Sequence, residues 1–395
     1  MKIAILTSGI LPVPAVRGGA VENLIDFYLE YNDKHHLHDI TIYSIADQAT
    51  ANHPALYSTA NHYHYIDVSS PIAKVKKRLF HILNRHKEYY HYTIEYYLNQ
   101  AIKDIHRQSY DIIILENRPG YALKIKNVTK AKIVYHLHNE KLLAHTSESK
   151  DIYDAASGII TVSDYIKSCV QTINPNDTKT VTIYNGIDTK KFSRKEKSII
   201  SRKHLGISSE DFLMVFSGRI NKDKGVEELI RAMILLQDIP QIKLLVIGST
   251  FFGNSSNEDD FVHSLKTKAE SIQERIIFTG FVPYEKMPDY LQLADIAVIP
   301  SIWNDPFPTT VLEAQAMGLP IITTKRGGIP EEVTNKNAVL LSVDERLTEN
   351  LAISIRNLYA DSMKRSIMSA ASIEHSKAFD KETYAKHFFE AIKHF

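Results

Sequence analysis

The sequence has one cysteine, Cys169, and one tryptophan in 395 residues. A single thiol excludes an internal disulfide framework and suits a reducing compartment. Cys169 itself reads as a small side chain on a helix rather than a nucleophile. Long apolar runs are missing too, since none approaches the ~20 residues that a membrane span needs. The opening run Lys2-Ile3-Ala4-Ile5-Leu6-Thr7 is too short for a signal h-region and lacks a cleavage site, so the sequence predicts a cytoplasmic protein. Excess charge is absent: 47 Lys and Arg stand against 46 Asp and Glu, a net +1. No field gathers nucleic acid, and outside one segment at 74–87 no basic face carries interleaved aromatics. Metal-type spacing is lacking as well. Of 18 histidines, 13 precede residue 150, scattered as His35-His36, His62, His64, His81 and His86, and no zinc-spaced pair is matched by a second.

What is present is an ordinary globular composition, 44% hydrophobic and 24% charged, with enough length for two domains. Short strands rich in Ile and Val alternate with amphipathic helices. Strands are predicted at 2–7, 40–46, 62–68, 111–116, 132–138, 158–163 and 180–185, with helices at 19–33, 88–108 and 163–173. The rhythm then repeats. Strands fit 212–218, 243–248, 275–281, 296–300, 320–324 and 338–342, and helices fit 225–238, 259–273, 284–294, 309–317, 345–360 and 380–393. Such alternation predicts parallel sheets covered on both faces. The expected fold class is α/β, two Rossmann-like doubly wound domains facing across a cleft. The first domain is placed at 1–188 and the second at 189–378. A C-terminal helix at 379–395 is a candidate to cross back to the first. The seam is marked by the turn Asn185-Gly186-Ile187-Asp188 and the charged stretch that follows.

Chemistry concentrates in the second half. Gly218-Arg219-Ile220-Asn221-Lys222-Asp223-Lys224-Gly225 follows a strand and precedes a helix. Arg219 and Lys224 would sit beyond the strand's carboxyl end, where doubly wound sheets bind ligands, and two cations offset a diphosphate without a metal. A solvated charged loop is the plain alternative. Asp305-Pro306-Phe307-Pro308-Thr309-Thr310 then leads into a helix that carries Glu313. Helix-start N–H groups at Thr309 and Thr310 suit phosphate. The Glu313 carboxylate suits a ribose diol and Asp305 suits sugar hydroxyls. Pro306 and Pro308 hold Asp305, and Phe307 and Pro308 count with Thr309 and Thr310 as candidate donor contacts. Gly327-Gly328-Ile329-Pro330-Glu331 follows as a glycine-rich turn.

The first half offers Arg17-Gly18-Gly19-Ala20, where Gly18 and Gly19 permit close backbone approach. His136 and His138 share one face of a strand end, with His138 the better placed for a ligand hydroxyl or for transition-state charge. Glu116-Asn117-Arg118 ends another strand and is a candidate acceptor contact. Residues 74–87, Lys74-Val75-Lys76-Lys77-Arg78-Leu79-Phe80-His81-Ile82-Leu83-Asn84-Arg85-His86-Lys87, form a basic amphipathic helix with Val75, Leu79, Ile82 and Leu83 on one face. Tyr89, Tyr90, Tyr92, Tyr96 and Tyr97 follow. The segment reads either as a contact with an anionic membrane at the inner leaflet or as a surface helix whose stripe joins the core.

In order and spacing these pieces resemble the family 4 glycosyltransferases of the GT-B fold. The resemblance spans nearly the whole chain and includes Val162-Ser163, Tyr184-Asn185-Gly186-Ile187-Asp188, Gly280-Phe281-Val282 and Pro300-Ser301. It implies retaining transfer of a sugar from a nucleotide-sugar, UDP by family habit, without cofactor or metal. It implies that Arg219 and Lys224 bind the diphosphate, Glu313 the ribose, the Val282 backbone the base, and His138 the transferred sugar. Amides after Phe307 would hold phosphate and sugar. Many members carry Glu where this chain has Asp305, so that carboxylate is one methylene shorter. The implied function transfers a hexose or N-acetylhexosamine to a glycan or lipid-linked saccharide acceptor. A nucleotide-sugar epimerase of the same architecture would act on donor alone. A noncatalytic partner subunit would bind donor without turnover. A dehydrogenase is disfavoured because no Gly-x-Gly-x-x-Gly turn follows the first strand.

Overall fold

The computed structural model describes residues 1–84, 94–195, 199–249 and 260–395. Two compact units emerge: Met1–Asn185 with Lys381–Phe395, and Gly186–Asp380. The sequence had set these boundaries at 188 and 379.

Unit 1 runs β1 (Lys2–Leu6), α1 (Ala20–His35), β2 (Asp39–Ile45), β3 (Asn61–Ile66), α2 (Pro71–Asn84), α3 (Glu95–Ile105), β4 (Ile112–Glu116), α4 (Ala122–Ile125), β5 (Lys132–Leu137), α5 (Ser149–Ala155), β6 (Gly158–Thr161), α6 (Asp164–Gln171) and β7 (Thr180–Thr182). Its strands are all parallel in the order β3-β2-β1-β4-β5-β6-β7. Ile112 to Glu116 is buried at every position, as expected of a strand covered on both faces.

Unit 2 runs β8 (Phe212–Ser217), α7 (Val226–Leu235), β9 (Ile242–Ile247), α8 (Asp260–Lys268), β10 (Ile276–Gly280), α9 (Met287–Leu291), β11 (Ile296–Ile299), α10 (Thr309–Ala316), β12 (Ile321–Thr324), α11 (Ile329–Glu332), β13 (Ala338–Leu341), α12 (Leu347–Ala360) and α13 (Ser362–Ser376). The parallel order β10-β9-β8-β11-β12-β13 repeats the pattern of unit 1. Each unit has its own core of β-strand Ile, Leu and Val packed against helices.

The last helix, α14 (Lys381–His394), belongs to unit 1. Tyr384, Ala385, Phe388, Phe389 and Ile392 are buried, and the Phe388 ring stacks on Tyr28 of α1 at 4.2 Å between centroids. Burying such side chains contributes about 1.5–3 kcal/mol each. Lys381 pairs with Glu30 and Lys34 with Glu382 along the rim.

Helix α13 has no counterpart in the sequence reading. Its inward positions are Met368, Ser372 and Ser376, too small and polar to give an apolar period. The small residues let it lie close to the turn after α10, where Ser369 and Ser372 hydroxyls donate to the Gly318 and Leu319 carbonyls at 2.6 and 2.9 Å. Of the helix predicted over 88–108, residues 95–105 are α3, while 85–93 lie outside the described residues. That places Arg85, His86, Lys87, Tyr89, Tyr90 and Tyr92 outside them also.

Candidate active site

In unit 2 the strand order reverses between β8 and β11, so the loops after these strands form the topological switch point, the usual ligand position in doubly wound sheets. The loop after β8 closes at Gly225 with φ 70°. A Cβ there would stand 1.9 Å from the Pro300 carbonyl oxygen, which only glycine avoids. The Asp223 carbonyl accepts from the Ile302 N–H at 2.9 Å and the Ser301 hydroxyl at 3.3 Å. This stitching delivers Lys224 to Asp305. The Lys224 Nζ donates to Asp305 Oδ2, and the ammonium lies 5.7 Å from the Trp303 ring centroid. The Asp305 loop is gripped from its far side as well. The Gly328 N–H donates to the Asp305 carbonyl at 2.8 Å, and Gly327, φ 54°, brings its backbone so near that a Cβ would meet that oxygen at 2.1 Å.

Helix α10 starts four residues after Asp305. Phe307 is buried, its ring 5.9 Å from Phe379, and Pro308 occupies the capping position without a side-chain cap. The half-buried Thr309 and Thr310 therefore open a helix whose first N–H groups have no intrahelical acceptor. Glu313 is buried in the next turn. Burial pushes its carboxyl up to about 8, against the pull of the Thr309 hydroxyl and the Lys191 charge. Lys191 lies 4.2 Å from the Tyr284 ring centroid. Burial, then Glu313 and Asp188, raise the Tyr284 phenol well above its ordinary range. Tyr284 follows the half-buried Val282 by two residues, so the turn after β10 lies within electrostatic reach of Glu313. Arg219 is exposed on the loop after β8.

The sequence reading missed Glu332, Lys191, Tyr284 and Trp303. Glu332 is wholly buried, and neither carboxylate oxygen is bonded among the described residues. Burial, then the charges of Asp305 and Glu331, raise its carboxyl far above the ordinary range, with Lys224 acting the other way. Glu332 lies one residue beyond the motif at 327–331. The available signal was its place three residues after Ile329, on the same face of α11.

In unit 1, β4 and β5 pair Glu116 with His136 in register, and His138 follows on the same face. The rings of His136 and His138 lie 4.1 Å apart. Glu116 Oε2 is 3.0 Å from His136 Nδ1 and 3.1 Å from His138 Nε2. The Tyr28 hydroxyl donates to Oε1 at 2.8 Å. Burial would raise the Glu116 carboxyl, but the two histidines overcome it and hold it down at about 2. Burial, then His136, lower His138 to about 4. The three donor atoms lie within 4.8 Å of one another, close enough to share a cation, yet they are already engaged with one another.

The expectation that Glu116 contacts the acceptor therefore needs correction. It is 0% exposed, and its oxygens are occupied by protein donors. Asn117, φ 56°, ends the strand, and its Oδ1 accepts from the Asn139 amide at 2.7 Å and the His138 N–H at 3.2 Å. Arg118 is half-buried and leads the 3-10 turn Pro119–Tyr121. Gly18 and Gly19 both have positive φ and lead into α1. Their surroundings are acidic, because Glu22 Oε2 lies 2.2 Å from where a Gly19 Cβ would be. Burial raises Glu22 to about 7. Arg17 just before is bound to Asp47 by two hydrogen bonds.

Two doubly wound parallel sheets, each with loops of this kind beyond its carboxyl ends, define the GT-B class of glycosyltransferases. Residues 197–375 match the family model described as glycosyl transferases group 1. The chain is 31% identical to the putative glycosyltransferase YtcC of Bacillus subtilis (strain 168) over 98% of its own length and 90% of that protein. It is 28% identical to spore coat protein SA of the same organism, covering 92% of each. Among solved structures, Anabaena HepE in complex with UDP-glucose superposes with a TM-score of 0.75 at 23% identity, covering 100% of both chains. The chain belongs to the glycosyl transferases group 1 family and is a glycosyltransferase.

Proposed function

We propose that this protein is a retaining, metal-independent glycosyltransferase. Its donor is a nucleotide-sugar, with UDP the favoured nucleotide, and it transfers a hexose or N-acetylhexosamine to a glycan or lipid-linked saccharide in bacterial glycoconjugate synthesis. The observation that carries the reading is the Lys224–Asp305 pair at the switch point of unit 2, beside the uncapped start of α10 and one turn before buried Glu313. A cation and helix-start amides suit a pyrophosphate; a carboxyl one turn on suits the ribose diol. UDP-glucose bound to HepE supports the choice of nucleotide. As the glycosidic bond breaks, the diphosphate gains negative charge, and Lys224, Arg219 and the Thr309 and Thr310 amides stabilise it where it develops. The acceptor oxygen bonds to the anomeric carbon on the face the diphosphate leaves. The acceptor proton passes to the departing phosphate oxygen, so no separate base is assigned. Asp305 contacts the transferred sugar and Val282 the base.

Thermal unfolding with UDP-, GDP- and dTDP-sugars tests the donor. At a hundredfold excess over Kd, binding adds ~2.7 kcal/mol of stability, roughly 5–10 °C for a unit of this size. A UDP-sugar should give the largest shift, and equal or no shifts across the panel would remove the reading.

Helix α2 supports a peripheral membrane contact for the same enzyme. No helix of the described residues is long and apolar enough to cross a membrane. Yet Ile72, Val75, Leu79, Ile82 and Leu83 are each more than half exposed, whereas the apolar stripe of a globular surface helix faces the core. Lys74, Lys76, Arg78 and His81 are exposed beside them. A basic amphipathic face of this kind fits an anionic leaflet. Sedimentation with phosphatidylglycerol vesicles should retain the wild type, and the Leu79→Ser/Leu83→Ser variant should partition at least tenfold less. Wild type left in the supernatant would refute the contact.

A further inference from the structure

Glu116 closes a hydrogen-bonded cluster whose chemistry is more restrictive than its composition. A carboxylate only accepts hydrogen bonds. Its three close contacts, Tyr28 Oη, His136 Nδ1 and His138 Nε2, therefore each bring a hydrogen. The enclosure leaves no water to substitute: Glu116 and His136 are wholly buried, Phe388 of α14 stacks on Tyr28, and the same ring lies 5.2 Å from His136. The arrangement decides which nitrogen of each ring is protonated. In a neutral imidazole the second nitrogen then carries a lone pair.

We infer that Glu116 is a positioning residue that locks His138 in its Nε2–H form, leaving Nδ1 as a hydrogen-bond acceptor, so that the site is selective for a ligand hydroxyl. A group that brings a hydrogen is matched by this nitrogen, and an acceptor-only group such as a phosphate oxygen is not. The two strand-end histidines thus divide the work. His136, whose Nε2 is buried without a partner among the described residues, serves the interior. His138 keeps a sliver of exposure, its side chain 6% accessible, and is the member that can meet substrate. The identification of that hydroxyl as a sugar's rests on the proposed function; the tautomer does not.

The test is long-range ¹H–¹⁵N correlation of the histidine rings in the full chain, with His138→Gln identifying the His138 signals. Wild type should show His138 protonated at Nε2 and bare at Nδ1. In Glu116→Gln the His138 ring should become a mixture of tautomers. Tyr28→Phe, which removes only the donor to the other oxygen, should leave it unchanged. In turnover assays Glu116→Gln should lower kcat at least tenfold with a smaller change in donor KM, and its melting curve should stay cooperative. A wild-type His138 protonated at Nδ1, or a tautomer unaltered by Glu116→Gln, overturns the inference. Wild-type rings bare at both contacting nitrogens, the signature of a shared metal, overturn it too. The expected tautomers with no sugar transfer by the wild type would instead sink the proposed function alone.

Discussion

Lys224→Met should reduce kcat by two to three orders of magnitude and leave a folded protein. The size follows from what the ammonium does in the proposed transition state. Removing one fixed donor from a developing oxyanion costs about 2.7–4 kcal/mol in enzymes where the group is preorganised, and each ~1.4 kcal/mol is tenfold in rate. Lys224 meets the preorganisation condition. Its loop is stitched to the loop after β11 through the Asp223 carbonyl, and its Nζ is tethered by Asp305. The loss should fall mainly on kcat, since ground-state donor keeps its contacts with the helix-start amides. Arg219 is exposed on the same loop, where solvent screens its charge, and Arg219→Met should cost less.

One complication decides which variants to make. Asp305 is buried, so deleting its cation leaves a buried carboxylate unpaired, a change that costs about 3–5 kcal/mol in buried pairs. Lys224→Met alone would lose stability as well as rate. Combining it with Asp305→Asn removes both charges and should restore much of the stability while turnover stays low. Stability that recovers without activity assigns Lys224 to the chemistry. Activity that recovers along with stability assigns it to structure, and near-normal turnover of the single variant would end its catalytic assignment.

The strands of both sheets were legible because burial on both faces leaves a simple signature, short Ile- and Val-rich runs at regular intervals. The loops at the switch points were legible because glycines at backbone contacts and prolines bracketing a helix start have few other uses. Pairings were not. Nothing local joins Lys224 to Asp305, 81 positions apart; the junction is made by backbone hydrogen bonds that any sequence of suitable φ/ψ could donate. Glu116 was misread for a related reason. A carboxylate at a strand end looks available until α1 and α14 supply Tyr28 and Phe388 above it, and α14 lies more than 260 residues downstream. Glu332 and α13 were missed because burial there runs against residue type: an acid and two serines occupy inward positions.

Glu313→Gln should stabilise the protein above about pH 8 and leave it unchanged in acid. With its folded-state carboxyl raised to about 8 and an unfolded value near 4.3, Glu313 is protonated in both states at low pH and contributes no pH dependence there. Between those values the unfolded chain has released the proton while the folded chain still holds it. The folded state then binds more protons, so stability falls as pH rises. Past pH 8 both states are ionised, and the full cost of burying the charge is present, roughly a few kcal/mol. Glutamine keeps the shape and has no proton to lose. Glu22 and Asp26 of α1, each raised to about 7 mainly by burial, add slopes of the same sign, so the informative quantity is the difference between wild type and variant across pH 4 to 9. That difference should open between pH 5 and 8 and then level off; a difference that stays flat shows that Glu313 ionises freely in the folded protein. A ribose diol would donate two hydrogen bonds to the ionised carboxylate, so nucleotide binding should strengthen as pH rises through 8 in wild type and be indifferent to pH in the glutamine variant. The stability arm depends only on where the side chain sits, and the binding arm depends on the ribose, so each can fail without the other.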